Sequence, residues 1–253
     1  MMNAPNMRAL ETSASAKAAL LEEELSQGSR PPEEIERIFF HLSRYTRAAA
    51  IARLLAYADG ATFRERLARS GEARRRLLQW ATGARRPFNR FTATGHYGPL
   101  CDALASGADE LARDIVHLST DTLVKGHEFE EDFLYARLLG LMATGDDTAP
   151  GRVEPLLESL ERIMDGQDFP RLAMCRALLA REQESFDAAL QALLEERDRH
   201  FRAQASSFTP RDEEADTEPF IFVEGLSLLR LAEHRGLSVQ SDYLFLPGLA
   251  RPR

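Results

Sequence analysis

Residues 127–132 concentrate the side chains of this sequence that could do chemistry, because they read His-Glu-Phe-Glu-Glu-Asp. On a helix, Glu128, Glu131 and Asp132 lie about one turn apart on a single face, which Tyr135 continues. Carboxylate oxygens suit a hard cation, but three of them on one helix cannot close a coordination shell. Three interpretations therefore stay open: an acidic first turn that faces solvent, a stripe that contacts a partner, and part of a metal site.

Signatures of catalysis are missing from the rest of the sequence. It contains no glycine-rich phosphate loop, no Cys-x-x-Cys pair, no His-Glu-x-x-His and no Gly-x-Ser-x-Gly. The step Asp114-Ile-Val-His117 comes nearest to a di-iron ligand pair, but it is more typical of a polar i,i+3 pair at a helix end. We therefore predict a protein that is not an enzyme and holds neither a metal nor a cofactor.

A basic stretch within residues 74–97 is the feature that favours nucleic acid. Arginines alternate there with aromatic side chains, as in single-strand binding sites: Arg74, Arg75, Arg76, Arg85, Arg86 and Arg90 beside Phe88, Phe91 and Tyr97. The net charge of −8 and the pI near 5.4 oppose that function. In the alternative interpretation, Arg74, Arg75 and Arg76 spread around a helix and meet acidic residues from 101–170, and we do not predict a nucleic-acid partner.

Charge is divided unevenly along the chain. Residues 30–100 carry 14 basic and 6 acidic side chains, whereas residues 101–170 carry 5 basic and 16 acidic ones. Such polarity can create an acidic surface that steers a basic partner. Equally, both blocks can be solvated helix faces that neutralise each other in the fold. Residues 206–218 form a second acidic stretch, predicted to be a mobile loop.

Length and composition indicate a globular protein. A chain of 253 residues can bury a large core without disulfides or metal. Its two cysteines, Cys101 and Cys175, lie in apolar helical patterns and are predicted to be buried and reduced. No apolar run approaches the roughly 20 residues of a membrane span, and the N-terminus lacks a secretory pattern. We therefore predict a cytoplasmic protein without a membrane partner.

The hydrophobic periodicity predicts an all-α fold, a multi-helix array of antiparallel helical hairpins. The predicted helices are 7–26, 32–58, 62–70, 72–83, 98–105, 108–118, 127–143, 152–164, 169–181, 184–204 and 219–234. Glycines mark several predicted ends, among them Gly71 and Gly236. We predict a single domain over residues 1–253, in which the loop 84–97 could separate an N-terminal lobe (1–90) from a C-terminal lobe (98–253).

Residues 53–67 and 176–190 are similar to each other. In both, a leucine–alanine helix ends, a short polar turn follows, and a phenylalanine with a leucine four residues later opens the next helix. This pattern resembles the helical hairpin of tetratricopeptide-like solenoids. The spacing is irregular, so the sequence predicts tetratricopeptide-like packing only in part.

The C-terminal third contains the most distinctive stretch, Glu224-Gly-Leu-Ser-Leu-Leu-Arg-Leu-Ala232 followed by Arg235-Gly-Leu and Tyr243-Leu-Phe-Leu-Pro247. It predicts a buried final helix, a glycine stop and an apolar tail that folds back on the body. Together with residues 178–197 and 50–67, this stretch resembles the immunity protein 49 family of bacterial polymorphic-toxin immunity proteins. The three regions cover about a quarter of the chain.

The resemblance implies an all-α, cytoplasmic, non-enzymatic protein that binds and neutralises one cognate toxin domain. It carries over no defined contact residues. Because many toxin domains act on nucleic acids and are basic, we expect a partner such as a nuclease to meet acidic side chains. The expected contacts are Glu128, Glu131, Asp132, Tyr135, Asp212, Glu213, Glu214 and Asp216.

Two other functions stay open. A tetratricopeptide-like adaptor or regulator would bind a peptide or protein in a concave groove. A metal-dependent helical hydrolase would use His127 and Glu128. The oligomeric state is not predicted.

Overall fold

The computed structural model describes residues 6–28, 30–205 and 212–252, and all regular secondary structure there is helical. The prediction of an all-α, multi-helix fold is therefore confirmed. The α-helices in the described residues are α1 (Met7–Ser26), α2 (Pro32–Tyr57), α3 (Gly60–Gly83), α4 (Gly98–Ser106), α5 (Asp109–Leu118), α6 (Glu130–Thr144), α7 (Glu154–Met164), α8 (Pro170–Ala180), α9 (Gln183–Ala205), α10 (Glu213–Thr217) and α11 (Val223–His234). None of them is long and apolar enough to cross a lipid bilayer.

The predicted break at Gly71 is wrong, because α3 continues through it as one helix. A Cβ on Gly71 would lie 3.1 Å from Leu111 Cδ2, 3.2 Å from the Ala103 Cβ and 3.2 Å from the Pro99 carbonyl oxygen. This glycine therefore lets α4 and α5 approach α3 closely and does not end the helix. Gly236, in contrast, has a φ of +80° just after α11 and is the predicted stop.

The two stretches predicted to be related have the same local geometry. Ala58 and Arg181 end α2 and α8 in the left-handed conformation, with φ of 53° and 57°. The next helix begins two residues later in both cases, and Phe63 and Phe186 are both completely buried. The leucine four residues after each phenylalanine is buried as well. The sequence similarity therefore reflects a shared helical hairpin.

One large apolar cluster fills the centre of the protein and takes side chains from α2 to α9 and from α11. It joins residues from both sides of the 84–97 loop, such as Leu67 and Leu104. A smaller cluster lies between α2, α3 and this loop, around Phe39, Leu77 and Phe91. The division into two lobes stays a prediction.

The apolar tail folds back on the body, as predicted from the sequence. Phe222 N–H donates to the Phe245 carbonyl at 3.0 Å, and Leu246 is completely buried. A Cβ on Gly225 would lie 2.7 Å from Leu246 Cδ2, so this glycine makes room for the tail against α11. The tail also reaches the start of α3, where Arg64 donates to the carbonyl of Leu249 at 3.1 Å.

Candidate functional site

A central cleft of about 710 Å³ opens between the helices of the described residues. Its walls come from α2, residues 95–99, the first turn of α6, the start of α8, and α9 to α11. Aromatic side chains alternate with charged ones on these walls, including Phe40, Tyr97, Phe201 and Phe222. A cavity of this size that brings aromatic surface and polar groups together is typical of a binding site.

Arg47 reaches from α2 to the base of the cleft and pairs with Asp102 on α4. Its Nε donates to Asp102 Oδ1 at 2.8 Å and its Nη2 donates to Oδ2 at 2.8 Å. Ser70 Oγ, from α3, donates to the same Oδ2 at 2.5 Å. Because Asp102 is completely buried, this bidentate pair and the serine supply the hydrogen bonds that its carboxylate needs.

Glu224 occupies a second convergence point at the start of α11. It accepts hydrogen bonds from Arg171 Nε at 2.7 Å, from Arg171 Nη2 at 2.9 Å and from the Tyr135 hydroxyl at 2.9 Å. The Tyr135 ring packs edge-on against Tyr97, with ring centroids 5.1 Å apart. One carboxylate thus connects α6, α8 and α11 beside the cleft.

Arg197 fixes α9 to the segment before α11. Its Nη2 donates to the carbonyl of Ile221 at 3.0 Å and to that of Glu218. The guanidinium also lies over the rings of Phe222 and Phe201, at 4.5 and 4.6 Å from their centroids. Burial lowers the pKa of Arg197 to about 10, and its hydrogen bonds to carbonyls keep it in a structural role.

Arg74 holds the 84–97 loop against α3. It is 4% exposed and donates to the carbonyls of Phe91, Thr92 and Ala93 at 2.5, 3.0 and 2.6 Å. Burial lowers its pKa to about 10. This side chain positions the loop whose continuation, residues 95–99, forms one wall of the cleft.

Three carboxylates that line the cleft have neither an ion pair nor a hydrogen bond within the described part of the chain: Asp132, Glu196 and Glu218. Asp132 and Glu196 are half-buried, and Glu218 is exposed at the mouth. Burial raises the pKa of Asp132 above its usual value. The cleft therefore offers unused hydrogen-bond acceptors of negative charge.

Two titratable groups in the cleft lack the properties of a catalytic pair. Burial raises the pKa of the Cys101 thiol to about 12, so it is protonated at neutral pH. Burial also lowers the pKa of His96, which favours the neutral ring. Across residues 6–28, 30–205 and 212–252, no three His, Cys, Asp or Glu side chains come together as a metal site would require.

The predicted stripe of residues 128–135 divides among different environments. Glu128 precedes α6, and its carboxylate accepts from the backbone N–H groups of Val124, at 2.7 Å, and Gly95. Glu131 is partly exposed, while Asp132 lines the cleft. Tyr135 is completely buried, so it offers no surface to a partner in this fold. The four predicted residues do not form a common helix face, because α6 begins at Glu130 and Glu128 therefore lies outside it.

The second predicted group, at residues 212–216, forms α10 where the sequence predicted a loop; residues 206–211 of that loop lie outside the described residues. Asp212 caps α10 by accepting from Ala215 N–H at 2.9 Å. Glu213 is 7% exposed and accepts from Ser13 and Lys17 of α1 at 2.7 and 2.8 Å. These acids therefore hold α10 against the N-terminal helices.

Glu214 and Asp216 complete this group. Glu214 lines the cleft and pairs with Arg44, and its Oε1 lies 3.9 Å from Arg47 Nη1. Asp216 is half-buried on the same short helix. Whether any of the eight predicted residues contacts a partner stays a prediction.

The basic stretch at residues 74–97 is largely paired within the fold. Arg74 is buried, and four other arginines form ion pairs: Arg75 with Glu72, Arg76 with Glu22, Arg86 with Glu36, and Arg90 with Glu33. Arg85 is exposed and has no ion pair within the described residues. Of the three arginines predicted to meet acids from residues 101–170, Arg75 does so, because its Nη1 lies 3.9 Å from Asp114 Oδ2. The prediction is wrong for Arg76, which pairs with Glu22, and for Arg74, which donates to carbonyls.

Sequence reasoning missed four residues that line the cleft, Arg47, Arg171, Arg197 and Glu224, and also Asp102, the partner of Arg47. Two of the five carry a usable signal, because Asp102 is the single acid of an otherwise apolar helix and Glu224 is an acid at the start of an apolar run. Buried acids need a cation or several donors, so each of these positions predicts a distant arginine. Which arginine is chosen depends on the tertiary structure.

Comparison with known proteins identifies a family. The sequence model described as Immunity protein 49 matches residues 45–249. Searches of curated proteins and of solved structures each return no match to the chain. The matched range contains both arginine–carboxylate pairs of the cleft and the whole C-terminal stretch. Since it spans most of the 253 residues, the chain belongs to the immunity protein 49 family.

Proposed function

We propose that the protein is an immunity protein, which binds a cognate bacterial toxin domain and neutralises it. The family match over residues 45–249 carries this proposal. The cleft supports it, because its walls combine aromatic surface with charged groups in the way that a protein interface does.

The cleft is preorganised by its own ion pairs. Arg47–Asp102 connects α2 to α4, and Arg171–Glu224 connects α8 to α11. Side chains that are already held by two or three hydrogen bonds lose little conformational entropy when a partner docks. Such rigidity favours the tight binding that toxin neutralisation needs.

Exposed acids outside the cleft would assist capture of a basic toxin domain, such as a nuclease. Glu154 and Glu158 lie exposed on α7, within the acidic block of residues 101–170. A surface of this charge accelerates association with a basic partner, and the effect falls as the salt concentration rises.

Co-expression tests the proposal. A toxin domain encoded beside the gene for this chain is expressed with and without it, and viable cells are counted. We expect restored growth and a complex that survives one-step affinity purification, whereas an unrelated toxin should still kill. Death of cells that contain well-expressed protein, with no complex recovered, would contradict the proposal.

An adaptor that binds a peptide or another protein is the second candidate. The shared hairpin geometry at Ala58 and Arg181 favours it, because such hairpins also build tetratricopeptide-like grooves. This candidate predicts that an affinity-tagged protein recovers a defined non-toxin partner from its native host and gives no protection against the neighbouring toxin.

A further inference from the structure

We infer that the central cleft receives a cationic side chain of the partner, an arginine or lysine carried next to an apolar or aromatic residue. This inference rests on the proposed function and specifies the chemistry of the toxin segment that docks. It starts from the three cleft carboxylates without partners: Asp132, Glu196 and Glu218.

The charge of the inserted side chain follows from which charged groups of the cleft already have an ion pair or a hydrogen bond. Arg44, Arg47 and Arg171 each pair with a carboxylate. Arg74 and Arg197 donate to backbone carbonyls. An anionic ligand would have to displace these bonds and would also meet the three open carboxylates. A cation meets acceptors that are free, so the three open carboxylates of the cleft complement a basic side chain.

The walls of the cleft suit the rest of such a segment. Phe40, Tyr97, Phe201 and Phe222 line it. Guanidinium groups of the protein already lie over three of these rings, Arg197 over Phe201 and Phe222 and Arg44 over Phe40. Arg171 gives a further internal example, with a carboxylate on its edge and the Tyr135 ring 5.5 Å from its guanidinium carbon. A volume of about 710 Å³ accommodates a side chain of this kind together with an apolar neighbour.

The half-buried position of Asp132 supports the same conclusion. Its carboxylate lies near Arg171 without an ion pair, and Glu128, Glu131 and Glu224 add negative charge around it. Burial without a partner is unfavourable for a charged group, and it raises the pKa. Charged groups that are buried without a partner in the free protein are typical of functional sites, where a ligand supplies the missing contact.

The test compares two triple variants that change the net charge equally. One removes the cleft carboxylates (Asp132→Asn, Glu196→Gln, Glu218→Gln). The control removes exposed carboxylates outside the cleft (Glu154→Gln, Glu158→Gln, Glu184→Gln). Binding to the neighbouring toxin domain is measured by surface plasmon resonance at two salt concentrations, with growth protection measured in parallel.

We expect the cleft variant to bind at least about 30-fold more weakly, mainly through faster dissociation, because a desolvated ion pair is lost. The control should lose only about threefold, through slower association that is sensitive to salt. Wild-type affinity in the cleft variant would overturn the inference, as would a larger loss in the control, which would place docking on the outer acidic face. If the wild-type chain neither binds nor protects, the proposed function itself fails.

Two further measurements separate binding from folding. Thermal unfolding should show that the cleft variant is at least as stable as the wild type. If the triple variant is less stable, the binding measurement is repeated with the single variant Glu218→Gln, which changes an exposed residue. A double-mutant cycle then pairs each cleft substitution with arginine and lysine replacements in the toxin. A toxin substitution that weakens binding to the wild type but not to the cleft variant identifies the inserted side chain. If no toxin position is coupled to the cleft, the inference is overturned.

Discussion

Arg171 at the start of α8 donates two hydrogen bonds to Glu224 at the start of α11, from Nε at 2.7 Å and from Nη2 at 2.9 Å. The two residues are 53 positions apart in the sequence. Because the Tyr135 hydroxyl of α6 donates to the same carboxylate, three helices that meet beside the cleft depend on one acidic side chain.

Glu224→Ala should destabilise the protein by about 3 kcal/mol, since it leaves Arg171 and the Tyr135 hydroxyl without their partner in a largely buried place. Urea unfolding followed by circular dichroism measures this. The matched control is Arg176→Ala on the same helix α8, whose partner Glu161 is 2.9 Å away but well exposed. That change should cost less than about 1 kcal/mol. Equal effects of the two substitutions would contradict a central role for Glu224.

Gly71→Ala should destabilise the protein by about 1–3 kcal/mol, although alanine has the higher helix propensity. The new methyl group would come within 3.1–3.2 Å of neighbours on α4 and α5. Gly83→Ala in the last turn of α3 is the control, because nothing lies within 4 Å of its added Cβ. There we expect neutrality or a gain of about 0.5 kcal/mol. Calorimetry of both variants measures these changes in stability. If Gly71→Ala stabilised the protein, α4 and α5 would have to move away from α3 to make room for the methyl group.

Arg74→Met should release the 84–97 loop, because a side chain of similar volume replaces the three hydrogen bonds to carbonyls 91–93. We expect a loss of about 2–4 kcal/mol, since three buried carbonyls lose a charged donor. Hydrogen exchange should accelerate in residues 91–98 more than in α8. Arg76→Met is the control, as Arg76 is paired to Glu22 on the surface. If exchange in the loop is unchanged, Arg74 does not hold it.

The fold could be predicted largely because its signals are local. The turn at Ala58 and the turn at Arg181 share a sequence pattern, and the structure gives them the same left-handed conformation. Gly71 shows the limit of such reasoning. A glycine within an apolar pattern can end a helix or permit close packing, and only the positions of α4 and α5 distinguish the two.

The cleft could not be predicted to the same extent. Acids in a hydrophilic segment are usually solvated, yet Glu213 is buried against Ser13 and Lys17, about 200 residues earlier in the chain. Such pairs depend on which helices become neighbours, and the local sequence does not encode that. Of the predicted acids, Asp132 and Glu214 are the ones that the structure brings to the cleft.

Asp132→Asn should raise the thermal stability of the free protein at pH 7. Burial raises the pKa of Asp132 in the folded chain, while the unfolded carboxyl keeps its ordinary value of 3.8. The folded state therefore binds more protons between these two values, and wild-type stability falls as the pH rises through that window. Below pH 3.8 the carboxyl is protonated in both states, so the advantage of the variant should disappear there.

The groups around Asp132 determine how large this advantage is. Arg171 favours the charged carboxylate, whereas Glu128, Glu131 and Glu224 oppose it. Melting temperatures of the variant and the wild type at several pH values between 3 and 8 measure the effect. The control is Asp114→Asn, which changes a well-exposed side chain and should show no comparable gain. A variant that melts below the wild type at pH 7 would mean that Asp132 is stabilised as an anion in the free protein, and that its charge does not await a partner.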